Sequence, residues 1–302
     1  MRYPNYDFAS HFLDIRGNRL HYLDEGPPHG EPVVMLHGNP TWSFFFRTLV
    51  TGLRDRYRLI VPDHIGMGLS DKPDDTRYDY TLSSRVADLE TLLDHLEVTR
   101  NLTLVLHDWG GLIGLVYGTR FPERIRRLII LNTAGFHFPP GRRFPWQLAA
   151  CRTPILGPLL VRGANGFCRV ALRSCINRRP RDAAIASAYL YPYDSWRNRI
   201  AIMRFVQDIP RRAGDRAYRM VSEVESHLCR FRDIPTLICW GLGDFIFDHD
   251  ILAAWRKHLP HAIVYSFQNA GHYLLEDAGD EVAQVSRRFL EDNPGTHDSK
   301  DA

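Results

Sequence analysis

Through the first 132 residues, short runs of consecutive apolar residues alternate with stretches of helical periodicity. Pro32 to Leu36 (PVVML), Arg58 to Val61 (RLIV) and Leu102 to Leu106 (LTLVL) are continuous apolar runs, the pattern of strands covered on both faces. Arg19 to Asp24 (RLHYLD) alternates instead, which predicts an antiparallel strand ahead of them. Between Val61 and Leu102, residues Val86, Leu89, Leu92, Leu93 and Leu96 recur at helical spacing, and Thr81 is placed to cap that helix. A further strand is predicted at Arg127 to Asn132 (RLIILN). From about residue 138 to 232 the strand signal stops, and helical segments are interrupted by glycine and proline. Strand runs resume at Thr236 to Trp240 (TLICW) and Ala262 to Phe267 (AIVYSF), and a last helix is predicted from about Glu281 to Glu291. One mostly parallel sheet with a single helical excursion accounts for this order. The core would comprise residues 1–136 and 233–292, the inserted cap 137–232, and a disordered tail 293–302.

Composition narrows the classes. Of 302 residues, 44% are hydrophobic and 24% charged, enough to bury a large core without disulfides or metals. A formal charge of only +3 argues against a nucleic-acid partner. No run of about 18 uncharged apolar residues is present, so no transmembrane helix is expected, and the polar, aromatic N-terminus lacks the pattern of a signal peptide. The five cysteines (151, 168, 175, 229, 239) form no CxxC pair and are expected to be reduced, mostly buried thiols of a cytoplasmic protein. Charge is uneven, since residues 138–232 hold 18 Arg, no Lys and six Asp or Glu. That bias fits a solvated surface with internal ion pairs, or a docking face for an acidic protein partner or a membrane surface. Association into oligomers is compatible with either.

Four short segments carry candidate chemistry. At Leu104-Val105-Leu106-His107-Asp108-Trp109-Gly110-Gly111 a strand runs into a polar residue and then into glycines that open a helical stretch. This is the context of a nucleophile elbow, usually G-x-S-x-G, but with Asp108 at the nucleophile position and Leu106 replacing the first glycine. His37-Gly38-Asn39-Pro40 follows the strand PVVML, where a backbone N–H, here that of Asn39, joins the N–H of Trp109 in an oxyanion hole. Trp240-Gly241-Leu242-Gly243-Asp244 and Ala270-Gly271-His272-Tyr273 lie just past the last two strands. The order nucleophile, acid, histidine is that of the α/β-hydrolase fold, and every piece sits at the C-terminal end of a predicted strand, where open α/β sheets place their sites. Asp248 competes with Asp244 as the acid but is better placed to cap a helix near Asp250, and the alternative acid position after the sixth strand holds Asn132 and Thr133. Gly66-Met67-Gly68-Leu69-Ser70 matches neither a dinucleotide nor a P-loop motif, and no histidine or cysteine spacing fits a metal, so no cofactor is expected.

A carboxylate nucleophile suits displacement at an alkyl carbon, because the product is an alkyl-enzyme ester. Water activated by His272, oriented by Asp244, can hydrolyse that ester. The chain resembles the haloalkane dehalogenase branch of α/β hydrolases over about residues 5 to 292. The likeness is to the third dehalogenase subfamily and to its relatives, the β-lactone decarboxylases of bacterial long-chain olefin biosynthesis. It rests on HGNPTWS (37–43), VPDHIGMGLSDKP (61–73), LHDWGG (106–111), YPYDSWRNRI (191–200), RFVQDIP (204–210) and GHYLLED (271–277). The resemblance implies a cap inserted after the sixth strand, and Asn39 and Trp109 as the pair that holds a leaving halide or carboxylate through a side-chain amide and an indole N–H. It implies a small hydrophobic substrate, either a cis-3-alkyl-4-alkyloxetan-2-one or a 1-haloalkane. Phe136, Phe138, Phe144, Trp146, Ile155, Leu156, Leu159, Leu160 and Phe167 are candidates to hold its alkyl chains. Epoxide hydrolases share HDWGG but add two cap tyrosines, for which Tyr189, Tyr191 and Tyr193 are candidates. A non-catalytic ligand receptor is a further use of the fold.

Overall fold

The computed structural model describes residues 3–139, 141–142, 144–178 and 182–295. Eight strands form one sheet: β1 (His11–Ile15), β2 (Asn18–Glu25), β3 (Pro32–Leu36), β4 (Arg58–Pro62), β5 (Leu102–His107), β6 (Ile125–Leu131), β7 (Thr236–Gly241) and β8 (Ile263–Phe267). Their order across the sheet is β1-β2-β4-β3-β5-β6-β7-β8. The pairs β1–β2 and β2–β4 are antiparallel and all others parallel. Every residue of β5 is buried, as are Val33 to Leu36 of β3, which explains why these strands read as unbroken apolar runs. The alternating run at 19–24 is β2, but its partner β1 escaped the sequence reading. HFLDI is mostly exposed at the sheet edge, so burial imposes no periodicity on it.

The helices of the core are α1 (Arg47–Leu53), α2 (Leu82–His95) and α3 (Trp109–Arg120). The Thr81 hydroxyl accepts the N–H of Ser84 and caps α2, as its sequence predicts. The segment between β6 and β7 contains, among its described residues, helices and no strands. These are α4 (Trp146–Cys151), the single turn α5 (Leu156–Pro158), α6 (Gly166–Ser174), α7 (Ala183–Leu190), α8 (Ile200–Asp208) and α9 (Tyr218–His227). Two helices follow in the core, α10 (His249–His258) and α11 (Leu274–Asp292). Asp248 accepts the N–H of Asp250 and caps α10. The last helix starts seven residues before the predicted Glu281, because Leu274 and Leu275 already bury against the core and the helix continues through a kink at Ala278.

Ion pairs tie the cap to the core. Arg204 meets Asp75 at 2.5 Å, Arg178 meets Glu281 at 2.7 Å, Arg142 meets Asp248 at 2.9 Å and Arg216 meets Asp79 at 3.1 Å. Arg152 donates to the carbonyls of Val206, Gln207 and Ile209. Several of the cap's arginines are thus spent on internal contacts. The tail expected at 293–302 lies outside the described residues from 296 onward. Its first residues are held, since Arg127 donates to the Asn293 carbonyl and Gly295 N–H donates to Glu31. Among the described residues no helix is long and apolar enough to cross a membrane.

One buried pair fixes the turn that carries the candidate histidine. Arg47 of α1 donates twice to Glu276 of α11, at 2.6 and 2.7 Å, and Tyr189 of the cap donates to the same carboxylate at 2.5 Å. Removing one member leaves an uncompensated buried charge, which costs about 3–5 kcal/mol. Arg47→Met is therefore expected to lower unfolding stability by about that amount, read from the denaturant midpoint at unchanged slope.

Candidate active site

Parallel strands bring their C-terminal ends to one rim, and the sheet order reverses between β3 and β5. The loops leaving these two strands diverge there and open a crevice. Asp108 sits at that point with φ +50° and ψ −124°, a strained conformation for a residue with a side chain. The turn needs glycine behind it, because a Cβ on Gly110 would lie 1.9 Å from the Leu36 carbonyl oxygen. This is the geometry of a nucleophile elbow. The β3 loop folds over the carboxylate, and the Asn39 backbone N–H donates to Asp108 Oδ1 at 2.7 Å, with the Trp109 N–H a second donor to that side chain. Both N–H groups expected of an oxyanion hole therefore face the same group. Gly38 is required by this approach, since a Cβ there would lie 2.1 Å from Oδ1. Gly38→Ala is expected to displace the carboxylate and lower turnover about a hundredfold, read from steady-state kinetics of the folded variant.

His272 stands across from Asp108, its Nε2 3.7 Å from Oδ2. Its Nδ1 donates to Asp244 Oδ2 at 2.7 Å. The other Asp244 oxygen accepts the backbone N–H groups of Ile246 and Phe247 at 2.7 and 3.0 Å. Asp108, Asp244 and His272, predicted from three separate segments, are brought together. Burial opposes a charge on His272, but Asp244 and Asp108 outweigh it and hold the imidazole pKa above its ordinary value. Burial raises the Asp108 carboxyl, opposed by His272 and by the N–H groups of Asn39 and Trp109.

Two supporting residues went unassigned in the sequence. Asn132, noted there only because it cannot carry charge, uses its amide to join the acid to its loop. Its Nδ2 donates to Asp244 Oδ2 at 3.0 Å and its Oδ1 accepts the Gly241 N–H at 2.8 Å. The signal available was its place just after β6. His107 Nε2 donates to the His272 carbonyl at 2.9 Å from beneath, and burial, with His272 adding to it, holds its own pKa well below the usual range, so it stays neutral.

Asn39 and Trp109 both line an apolar cavity of about 100 Å³ above Asp108. The Trp109 ring packs on Phe205, with centroids 5.3 Å apart. The Asn39 amide is oriented by the Ile202 carbonyl of the cap, which can only accept, so Nδ2 faces it at 3.2 Å. That bond uses one of the two amide hydrogens. Of the predicted chain-holding residues, Phe136, Phe138 and Phe167 line this cavity, and Trp146, Leu160 and Phe167 line a neighbouring one. Ile155, Leu156 and Leu159 are exposed, and Phe144 packs beneath Arg211. None of the three tyrosines held open for epoxide chemistry lines the cavity: Tyr189 is bonded to Glu276, Tyr193 donates to the Thr41 carbonyl, and Tyr191 is half exposed.

The fold and the elbow together define an α/β hydrolase with a carboxylate at the nucleophile position. The family model described as "alpha/beta hydrolase fold" matches residues 31–150 and 178–279, and the chain belongs to that family. Among curated proteins, it is 55% identical over 283 residues to a cis-3-alkyl-4-alkyloxetan-2-one decarboxylase of Shewanella oneidensis, covering 94% of this chain and 88% of that protein. A protein of the same name from Xanthomonas campestris pv. campestris is 49% identical, with 97% and 100% covered. A haloalkane dehalogenase of Mycolicibacterium paratuberculosis is 32% identical, with 93% and 92% covered. Among solved structures, the haloalkane dehalogenase DatA from Agrobacterium tumefaciens superposes with a TM-score of 0.83 at 26% identity, covering 95% of this chain and 97% of that one.

Proposed function

We propose that this chain is a β-lactone decarboxylase that converts a cis-3-alkyl-4-alkyloxetan-2-one to a cis-alkene and CO2. The reading is carried by a carboxylate at a strained elbow, lining an apolar cavity together with Asn39 and Trp109, in a chain 55% identical to a protein of that name. Oδ1 of Asp108 is held by the Asn39 N–H, which leaves Oδ2 as the attacking oxygen. It attacks C4 of the lactone from the face opposite the ring oxygen. The C4–O bond breaks with inversion, its electron pair leaves on oxygen, and the new carboxylate meets the Asn39 amide and the Trp109 indole. Because the ring oxygen and the carboxyl carbon are eclipsed in the lactone, this attack already leaves the ester oxygen of Asp108 anti to the C3–carboxylate bond. The electrons of that bond form the alkene, CO2 departs and Asp108 is regenerated as carboxylate. Inversion followed by anti elimination places both alkyl groups on one side, so a cis lactone gives a cis alkene. No water is consumed.

Haloalkane hydrolysis is the second reading, favoured by His272 standing 3.7 Å from the nucleophile with Asp244 behind it. There the alkyl-enzyme ester is resolved by water that His272 activates. The site partner in both readings is a small hydrophobic molecule. A cytoplasmic setting is supported by the five cysteines, all unpaired and four of them buried. Purified protein incubated with a cis-dialkyl oxetanone and, separately, with 1-bromo- or 1-iodoalkanes tests the choice. Alkene formation supports decarboxylation; rapid halide release with untouched lactone overturns it.

A further inference from the structure

Two apolar cavities abut beside Asn39, one of them lined by Asp108 and the other by His272, and a linear substrate needs only one. The inner lobe reaches Asp108 and Trp109 and is walled by Leu112, Phe136, Val206 and Val221. The outer lobe, about 330 Å³, reaches His272 and Tyr273 and is walled by Trp146, Leu160, Ala171 and Phe245. Both are lined by Asn39, Leu148, Phe167 and Ile246, so they abut across these side chains. Val206 and Val221 of the inner wall are 1% exposed, whereas Trp146, Val170 and Phe245 of the outer wall are 75%, 48% and 39% exposed. Each lobe also has walls of the other kind, since Ile209 and Pro210 of the inner lobe are half-buried and Cys175 and Tyr273 of the outer one are buried.

We infer that the two lobes are separate seats for the two alkyl arms of one oxetanone, with its four-membered ring at their junction beside Asn39. This rests on the decarboxylase reading. In a cis-3,4-dialkyl ring both arms leave the same face and diverge from adjacent carbons. A reactive group flanked by two apolar lobes matches that shape. Burial of arm methylenes supplies binding energy in both lobes.

The test uses two mixed lactones, one with a long arm at C3 and methyl at C4, the other reversed, together with the lactone long at both. Val221→Phe narrows the inner lobe and Ala171→Phe the outer one. Each variant is expected to lower kcat/KM for only one mixed lactone, and a different one, by about tenfold or more. Both variants are expected to lower it for the doubly long substrate. Ile209→Trp and Val170→Trp, at less buried positions lining the same two lobes, carry the comparison where an interior variant does not fold. Wild-type turnover with both variants penalising the same mixed lactone, or neither, overturns the two-seat assignment and leaves the decarboxylase reading standing. Absence of lactone turnover by the wild type overturns that reading and this one with it.

Discussion

Asp108→Asn is expected to abolish turnover of both lactone and haloalkane, by a factor on the order of 10^4 or more, while the protein stays folded. The amide has the shape of the carboxylate. Its oxygen can still accept the Asn39 N–H, and its NH2 can face His272 Nε2, so the elbow keeps its contacts. What is lost is the anion that attacks carbon. Stability should move the other way. Burial holds the Asp108 carboxyl above its ordinary pKa, so the folded state binds its proton more tightly than the unfolded chain does. The ionised form then destabilises the fold, beginning above the unfolded pKa and reaching its full extent above the folded one. At neutral pH the neutral amide removes that cost, and the thermal midpoint is expected to hold or rise. A calorimetric scan beside a kinetic assay checks both; a variant with residual activity within about tenfold of wild type contradicts the assignment of the nucleophile.

His272→Ala is expected to separate the two chemistries. With a 1-bromoalkane, the ester on Asp108 forms but no base activates water, so steady-state turnover falls by about 10^2 to 10^4 and the alkyl-enzyme accumulates. Mass spectrometry of the intact protein should find the added alkyl group at one equivalent. With the lactone, the ester is resolved by elimination, no water is needed, and the loss is expected to stay within about tenfold. Equal losses on both substrates would show that His272 acts in decarboxylation too. The same division governs pH. His272 must be neutral to act as base, and in the alkyl-enzyme, where Asp108 is an uncharged ester, Asp244 is the group that raises its pKa against the effect of burial, so the haloalkane rate should rise with pH through the midpoint of that titration. Asp244→Asn should bring that midpoint down.

What could be read in the sequence was what burial and local chemistry write into adjacent residues. The central strands 32–36, 58–61 and 102–106 were legible because each is covered on both faces and leaves an unbroken apolar run. Thr81 declared its helix because a cap bonds its own first turn. The candidate triad was legible because each member follows a strand and a glycine turn. Edge strand β1 was not, for lack of a buried face, and neither was the early start of α11, where Leu274 and Leu275 follow directly on the His272 segment. The Asn132 clamp on Asp244 spans 112 positions, and nothing local marks it. In the cap, exposed Ile155 and pocket-lining Leu160 look alike in sequence, since short helices broken by glycine and proline hide which face turns inward.

The most direct test of the account is a single turnover of a cis-3,4-dialkyl oxetanone by excess enzyme in water enriched in oxygen-18. The products and the peptide that contains Asp108 are then both analysed by mass spectrometry. Attack at C4 followed by elimination predicts one cis-alkene for each lactone consumed, and an Asp108 carboxylate that gains no label. A 3-hydroxy acid in place of the alkene, with oxygen-18 in Asp108, would mean that water resolves the ester and would contradict the decarboxylation route.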